Sequence, residues 1–300
     1  MKTTLDCIPC IIRQALDAAR FVTDDVAAHE RILRDVLRET AEIDLSQSPP
    51  VVGQKMHRQL RQLTGIADPY RKAKDQFNKL ALEMVSELEA DIAKSADPLY
   101  LALRLAIAGN VIDLGVKGGI GDGEVRKAIR NTLNEPFHGD MEDFRLATGQ
   151  AQSILYLADN AGEIVFDRLL IEQLLPARVT VAVRGGPVLN DALREDAKVA
   201  GLCRLVEVID NGSDAPGTVL EDCSEPFRRR FDEADLIIAK GQGNFETLSE
   251  SETDIYFLFK AKCPVIAARV GLPVGTHVAM HRGTRFRDEN ASPLHWVSTT

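Results

Sequence analysis

Two adjacent polar residues, Asp159 and Asn160, directly follow the aliphatic run at residues 153–158 (SILYLA). A second polar pair, Asn190-Asp191, lies one helix and one short aliphatic run further along the chain. Carboxylate and amide oxygens are hard donors that suit magnesium, manganese or a similar divalent ion. The same Asp-Asn stretch is also typical of a turn or of a helix cap. The two pairs indicate a metal site only if other polar segments converge on them.

Polar motifs follow the later aliphatic runs as well. Arg184 begins a glycine-containing motif after the second run, Asp210 follows the third, and residues 240–246 (KGQGNFE) follow the fourth. Arg184 and Lys240 would add positive charge, and the backbone N–H groups at 240–244 would form a cradle for an anion. A metal, cations and an anion cradle together are what phosphoryl transfer requires, because negative charge spreads over the phosphoryl oxygens.

The elements that must position these motifs form a regular alternation after residue 150. Short aliphatic runs alternate with helical stretches about every 25 to 30 residues, the spacing of βα units in a parallel sheet. The predicted strands are 153–158, 179–183, 205–209, 236–239 and 264–268. Ligands bind outside the carboxyl ends of such strands. We therefore expect a Rossmann-like, three-layer α/β/α domain with a mainly parallel sheet and one crevice shared by the motifs.

The first part of the chain has a different pattern. Apolar residues recur at helical spacing through about the first 95 residues, as in Ile11, Ala15 and Ala19, and no β-rich run interrupts them. We predict a helical bundle domain at 1–95 and an α/β/α domain at 96–300. A glycine-rich loop at 115–123 follows an apolar helix, and it is either a mobile lid or a plain connector.

Composition restricts the class of function. The 300 residues include 36 Lys and Arg against 45 Asp and Glu, for a net charge of -9, which argues against a nucleic-acid partner. No apolar run is long enough to span a membrane, and the N-terminus lacks the apolar segment of a signal peptide. Five cysteines, an odd number, fit a reducing compartment. A cytoplasmic protein is therefore expected, while its oligomeric state is not readable.

Two further features have competing interpretations. Cys7 and Cys10 have the spacing of metal or redox pairs, but no second pair exists, and structural packing is the favoured reading. Lys72 and Lys74 follow Asp68-Pro69-Tyr70 at a helix start. Their charges either face the cleft or lie on a solvated face, and the solvated face is favoured.

Together the motifs resemble the metal-dependent damage-control phosphatases, formerly domain-of-unknown-function family 89. The resemblance rests on residues 109–113 (GNVID), 159–163 (DNAGE), Asn190-Asp191 and 240–246. The start, residues 7–16 (CIPCIIRQAL), is similar to the N-terminal signature of the compact microbial branch, and the resemblance runs from residue 5 to about 275. The Arg-Thr-x-Lys signature of the eukaryotic branch is absent, which argues against its substrates and against a methyl-transfer role.

The resemblance implies a helical domain beside an α/β/α domain and a divalent metal (Mg, Mn, Co or Ni) held by Asp159, Asn160 and Asp191. It also implies hydrolysis of small phosphorylated metabolites, such as sugar phosphates or damaged phosphometabolites. Other residues match motif positions that line the cleft, namely Asn110, Asp113, Lys240, Gly241, Asn244 and Glu246. We add Arg184 and Asn190 as substrate-binding residues because of their places after the strands.

As a mechanism, we expect a metal-activated water to attack the phosphoryl group, with Asp159, Asp191 or Glu163 orienting that water and Lys240 neutralising developing charge. A non-catalytic protein that binds a phosphorylated metabolite is an alternative that the sequence does not separate from an enzyme. A Rossmann-like methyltransferase is the other alternative, and it is disfavoured because no Gly-x-Gly-x-x-Gly follows the first strand.

Overall fold

The computed structural model describes residues 1–109, 122–175 and 178–282, except the side chains at 122–125 and 128. Five helices come first: α1 (Cys7–Val22), α2 (Val26–Ala41), α3 (Pro49–Thr64), α4 (Arg71–Lys94) and α5 (Pro98–Ala108). Asp25 caps α2 by accepting from the backbone N–H of Ala27, and Pro49 begins α3, where a missing N–H does no harm. Aliphatic residues of α1 to α3 form a small core of their own, which includes Ile11, Val36 and Met56.

The rest of the described chain alternates strands and helices. The strands are β1 (Phe137–Gly139), β2 (Ser153–Leu157), β3 (Arg178–Val183), β4 (Glu207–Asp210), β5 (Leu236–Lys240), β6 (Ile255–Lys260) and β7 (His277–His281). The helices are α6 (Asp122–Thr132), α7 (Met141–Gln150), α8 (Glu163–Leu174), α9 (Arg194–Val199), α10 (Glu225–Glu233), α11 (Gly241–Leu248) and α12 (Pro264–Val270).

The strands form one seven-stranded sheet in the order β1-β7-β6-β5-β2-β3-β4. The pairing is parallel except between β6 and β7, which run antiparallel. The predicted α/β class with a mainly parallel sheet and an N-terminal helical region is therefore confirmed. Within the described residues, no helix is both long enough and apolar enough to cross a membrane.

One predicted strand is wrong and three strands were not predicted. Residues 264–268 lie in helix α12, which begins at Pro264 with Cys263 as its N-cap residue. A short apolar run is compatible with a strand or with a buried helix, and the proline at the first helical position favours the helix. The strands that were missed are β1, β6 and β7.

Helices cover both faces of the sheet. On one face, α4, α5 and α8 bury side chains such as Phe77, Leu105 and Phe166 against Tyr156 and Ile238. On the other face, α10 and α11 pack Phe227, Phe231 and Phe245 against Phe257 and its neighbours. The core of the sheet thus includes α4, although that helix lies in the first 95 residues.

The strand order places the crevice. From β2 the chain moves to β3 and β4 on one side of the sheet, and it then returns to place β5 on the other side of β2. The carboxyl ends of β2 and β5 lie next to each other at this reversal, which is where open α/β sheets bind ligands. Asp159 and Lys240 stand at these two strand ends.

Candidate functional site

The Asp159 carboxylate lies directly over the backbone of Gly241, the first residue of α11. Gly241 has a φ of +79°, and an added Cβ would overlap the carboxylate, with even its Oδ1 atom 2.6 Å away. Only glycine combines this backbone conformation with such a close approach. The Lys-Gly motif after β5 therefore makes room for the carboxylate that follows β2.

A short backbone pairing brings Asp191 beside Asn160. The two residues form an isolated antiparallel bridge outside the named strands. The N–H of Ala161 donates to the carbonyl of Asn190 at 2.8 Å, and the N–H of Ala192 donates to the carbonyl of Asp159 at 2.8 Å. The loops after β2 and β3 are thus fixed to each other, as the expected convergence of their polar residues requires. Asn190, expected to bind substrate, contributes its backbone carbonyl to this pairing.

Arg184, which follows β3, lies between the two aspartates. Its Nε donates to Oδ2 of Asp191 at 2.7 Å, and its Nη2 is 3.9 Å from Oδ1 of Asp159. The side chain is only 2% exposed. Its Nη2 has no hydrogen-bond partner among the described residues. One buried guanidinium therefore links both carboxylates and keeps one donor unused.

Burial raises the pKa of both aspartates. For Asp159 the neighbouring carboxylates of Glu163 and Asp191 raise it further, and the opposing charges of Lys262 and Arg184 do not cancel the increase. For Asp191 the effect of burial also exceeds the opposing charge of Arg184. Two buried carboxylates that lack sufficient positive charge favour a bound cation.

The donor atoms fit a hard divalent cation. Asn160 Nδ2 donates to Oδ2 of Asp159 at 2.6 Å and to Oε2 of Glu163 at 3.0 Å, so its amide oxygen is the remaining donor atom for a metal. Asp159, Asn160 and Asp191 would then offer oxygen ligands alone, the set that Mg²⁺ or Mn²⁺ prefers. Within the described residues, no three His, Cys, Asp or Glu side chains are arranged to hold a metal. The fit therefore rests on a mixed set of two carboxylates and one amide.

Lys240 points away from the position that its expected role requires. Its ammonium donates to the carbonyl of Ala106 at 2.9 Å, to Oε1 of Glu163 at 2.7 Å and to Oδ1 of Asp167 at 2.5 Å. These contacts use all three donors of a lysine. The expectation that Lys240 directly neutralises charge on a phosphoryl group is therefore corrected. Lys240 instead positions Glu163, which in turn accepts from Asn160.

The buried network around Lys240 extends into the core. The Tyr156 hydroxyl donates to Oδ1 of Asp167 at 2.8 Å. Burial raises the pKa of Asp167 to about 6, with the opposing charge of Lys240 limiting the rise. Burial disfavours the charged form of Lys240, but the Asp167 and Glu163 carboxylates outweigh that effect and raise its pKa. The lysine stays charged and holds both carboxylates in place.

Asn244 and Glu246 occupy different surroundings on α11. The Asn244 amide nitrogen donates to the carbonyl of Lys240 at 2.7 Å, and its oxygen accepts from the Thr218 hydroxyl at 2.8 Å. Asn244 therefore braces the strand ends, because its amide nitrogen is directed at the backbone carbonyls of Lys240 and Ala158. Glu246 accepts from Gln242, and burial raises its pKa to about 7. The contacts of Glu246 are with Gln242 and, through its backbone carbonyl, with the N-terminal amine of Met1, and neither contact joins it to Asp159 or Asp191.

Helix α4 supplies residues that the sequence interpretation missed. Asn78 accepts from the N–H of Gly162 at 2.7 Å and donates to Oδ1 of Asp196 at 2.7 Å. Lys74, one turn earlier, is fully buried, so the favoured solvated-face interpretation of this lysine is wrong. The available signal was the spacing, because Lys74 and Asn78 share one helix face with the buried Phe77 and Ala81. Asn110, Asp113 and the loop at 115–121 lie outside the described residues.

Three comparisons with known proteins bear on this site. The model of the damage-control phosphatase ARMT1-like domain matches residues 3–278. This chain belongs to that family. A damage-control phosphatase of Pyrococcus horikoshii, PH1575, is 36% identical over 288 residues, which cover 93% of this chain and 98% of the relative. A damage-control phosphatase of Archaeoglobus fulgidus is 33% identical, with 93% and 99% covered.

A solved structure extends the likeness to the fold. The crystal structure of PH1575, described as a DUF89 family protein, superposes with a TM-score of 0.84 at 34% identity and covers 94% of this chain and 99% of its own. A Methanocaldococcus jannaschii protein is 38% identical over 297 residues, which cover 94% of this chain and 96% of that protein. Family membership supports phosphatase-type chemistry.

Proposed function

We propose that this protein is a metal-dependent phosphatase that hydrolyses small phosphorylated metabolites. A divalent cation (Mg, Mn, Co or Ni) would be held by Asp159, Asn160 and Asp191. The observation that carries the proposal is the pair of buried carboxylates of Asp159 and Asp191, bridged by Arg184 at a strand crevice. The relatives named damage-control phosphatases support the same class of reaction.

The residues of the chain have separable roles in this proposal. The bound cation would supply charge stabilisation and water activation. Asp159 and Asp191 provide the anionic ligands, and either one can orient the attacking water. The Arg184 Nη2 atom, which is buried and has no hydrogen-bond partner among the described residues, donates to a phosphoryl oxygen. Glu163 fixes the Asn160 amide, and Lys240 fixes Glu163, so both act as positioning residues.

The experiment that tests this function measures phosphate release by purified protein from which metal has been removed. Sugar phosphates and nucleotides are supplied in turn with Mg²⁺, Mn²⁺, Co²⁺ or Ni²⁺. We expect metal-dependent turnover that falls at least about 100-fold in Asp159→Asn and Asp159→Ala, because a cation ligand is lost. The matched control is Asp232→Asn, since Asp232 is exposed on α10 and far along the chain from these motifs. Unfolding curves verify that each variant is folded.

Two outcomes would reject the proposal. Wild-type turnover in Asp159→Ala would show that this carboxylate is not needed for the reaction. Phosphate-ester binding without release under any metal would support the alternative of a non-catalytic binding protein.

The methyltransferase alternative lacks support, because Asp159-Asn160 stands where the glycine-rich cofactor motif would be. A cytoplasmic location and the absence of a nucleic-acid partner stay predictions from composition.

A further inference from the structure

Lys74 is a buried cation on the helix that packs against the loop after β2, and the proposed reaction does not yet use it. It lies in the first turn of α4 and is 0% exposed. Its ammonium is 2.7 Å from Oδ2 of Asp68, in an ion pair whose geometry is not that of a hydrogen bond. A lysine has three N–H donors, and burying them without acceptors is costly. Among the described residues, no hydrogen-bond acceptor serves this ammonium.

The neighbours of Lys74 on α4 locate it at the site. Asn78, one turn further, accepts from the backbone N–H of Gly162, in the loop that also carries Asp159 and Asn160. Phe77 lies against Gly162, where an added Cβ would be 2.9 Å from the Phe77 Cβ. This side of α4 therefore lies directly against the loop after β2.

The charge of Lys74 reaches one of the proposed cation ligands. It acts on Asp191, where it opposes the increase in pKa that burial causes. Two other buried basic side chains at the site are already engaged. Lys240 has all of its donors bound to protein acceptors, and Arg184 commits its Nε to Asp191. Lys74 and the Nη2 atom of Arg184 are buried cationic donors without a hydrogen-bond acceptor among the described residues, and the charges of both act on Asp191.

We propose that Lys74 is a substrate-binding residue, whose ammonium leaves Asp68 and donates to a phosphoryl oxygen of the substrate together with Arg184. This inference rests on the proposed phosphatase function and adds a contact from the helical part of the chain. Asp68 pairs with the ammonium in the structure and is exchanged for the phosphoryl group when substrate binds. A dianionic phosphoryl group would satisfy donors that the described protein atoms leave unused.

The test measures binding of inorganic phosphate by calorimetry at saturating Mn²⁺, with Mn²⁺ binding measured separately. We expect Lys74→Met to weaken phosphate binding by about 10- to 100-fold, the effect of one charge-assisted hydrogen bond, in protein whose Mn²⁺ site is saturated. Mn²⁺ affinity should not fall in this variant, because the Lys74 charge that acts on Asp191 opposes cation binding. Lys74→Arg keeps the charge and should retain phosphate binding within about fivefold. In turnover assays, KM for a phosphate monoester should rise in Lys74→Met.

Asp68→Asn separates binding from a structural role. If Lys74 binds phosphate, removing its competing carboxylate should leave phosphate affinity unchanged or increase it. If the Lys74–Asp68 pair only supports the fold, Asp68→Asn and Lys74→Met should weaken phosphate binding and lower the unfolding temperature in parallel, which would overturn the inference. Wild-type phosphate affinity in Lys74→Met would overturn the inference about Lys74 and leave the proposed phosphatase function standing. Wild-type protein that binds Mn²⁺ but neither binds phosphate nor hydrolyses any ester would overturn the proposed function as well.

Discussion

Replacing Gly241 with alanine tests whether the Asp159 carboxylate is held where a cation ligand must be. The added Cβ would be 2.6 Å from Oδ1 of Asp159 and closer still to Oδ2. Ordinary contacts between such atoms are about 3.5 Å, so the carboxylate must move by at least about 1 Å. Metal–oxygen distances tolerate only about 0.2 Å. We therefore expect Gly241→Ala to reduce Mn²⁺ affinity by about 10- to 100-fold, the range seen when the surroundings of metal ligands are disturbed.

The cost to the fold should be much smaller than the cost to the site. Gly241 has a φ of +79°, and an alanine there loses about 1 to 2 kcal/mol from backbone strain. Gly65 is a matched control, because it has a φ of +69° and an added Cβ would meet no atom within 4 Å. Gly65→Ala should show the same strain in urea unfolding and wild-type Mn²⁺ affinity.

The assay compares both variants by urea unfolding, by the electron paramagnetic resonance signal of free Mn²⁺ and by phosphate release. Mn²⁺ affinity in Gly241→Ala within twofold of wild type would refute the reasoning, because the carboxylate would then be movable without loss. A destabilisation of Gly241→Ala several kcal/mol beyond that of Gly65→Ala would also refute it. In that case the backbone of α11, not the Asp159 side chain, would have moved.

Two further predictions concern stability. Lys240→Met leaves the buried carboxylates of Glu163 and Asp167 without their cation, so the free energy of unfolding in urea should fall by about 3 to 5 kcal/mol. The control is Lys260→Met, which removes a partly exposed ion pair and should lower the free energy of unfolding by no more than about 1 kcal/mol. Equal losses in the two variants would contradict the stabilising role of the buried Lys240 ion pairs. Burial lowers the pKa of His57 from 6.5 to about 4, so the stability that the neutral, buried imidazole contributes is complete above pH 6.5 and is lost as the pH falls toward 4. His57→Gln should therefore remove up to about 3 kcal/mol of the pH dependence of the free energy of unfolding between these pH values. An unchanged pH profile of stability in this variant would contradict the prediction.

The strands that build the site could be predicted because they are buried on both faces. Continuous aliphatic runs gave β2, β3 and β5 to within a residue or two, and their parallel pairing places their carboxyl ends at one edge. The failure at residues 264–268 has a different origin. A five-residue apolar run carries no periodicity that distinguishes a strand from a buried helix, and only Pro264, the first residue of the run, marked a helix start.

The direction of Lys240 could not be predicted from the motif alone. Side chains alternate between the two faces of a strand, and Lys240 ends β5 two residues after Ile238. Ile238 packs with α5 and α8, so the same parity carries the lysine toward Glu163 and Asp167. The sequence places a lysine at the strand end, but the face it occupies depends on which helices cover that face.

The contribution of α4 depends on tertiary structure in the same way. Lys74 and Asn78 occur in a helix whose hydrophobic pattern indicates only that one face is buried. That this face lies against the loop of Asp159 follows from the packing of α4 on α8, which no local pattern encodes. Their polar character on a buried face was nevertheless a usable sign, because buried polar groups require partners.

The balance of buried charge explains why these residues occur together. Buried carboxylates at the site outnumber the buried cations: Asp159, Glu163, Asp167 and Asp191 lie near Lys74, Arg184 and Lys240. The excess of one formal negative charge is concentrated where burial already raises the pKa of Asp159 and Asp191. A bound divalent cation would more than neutralise that excess and would leave the buried site net positive, as the binding of an anion requires. With the cation bound, the unused donors of Arg184 and Lys74 become available to an anion, so cation binding should precede phosphate binding and strengthen it.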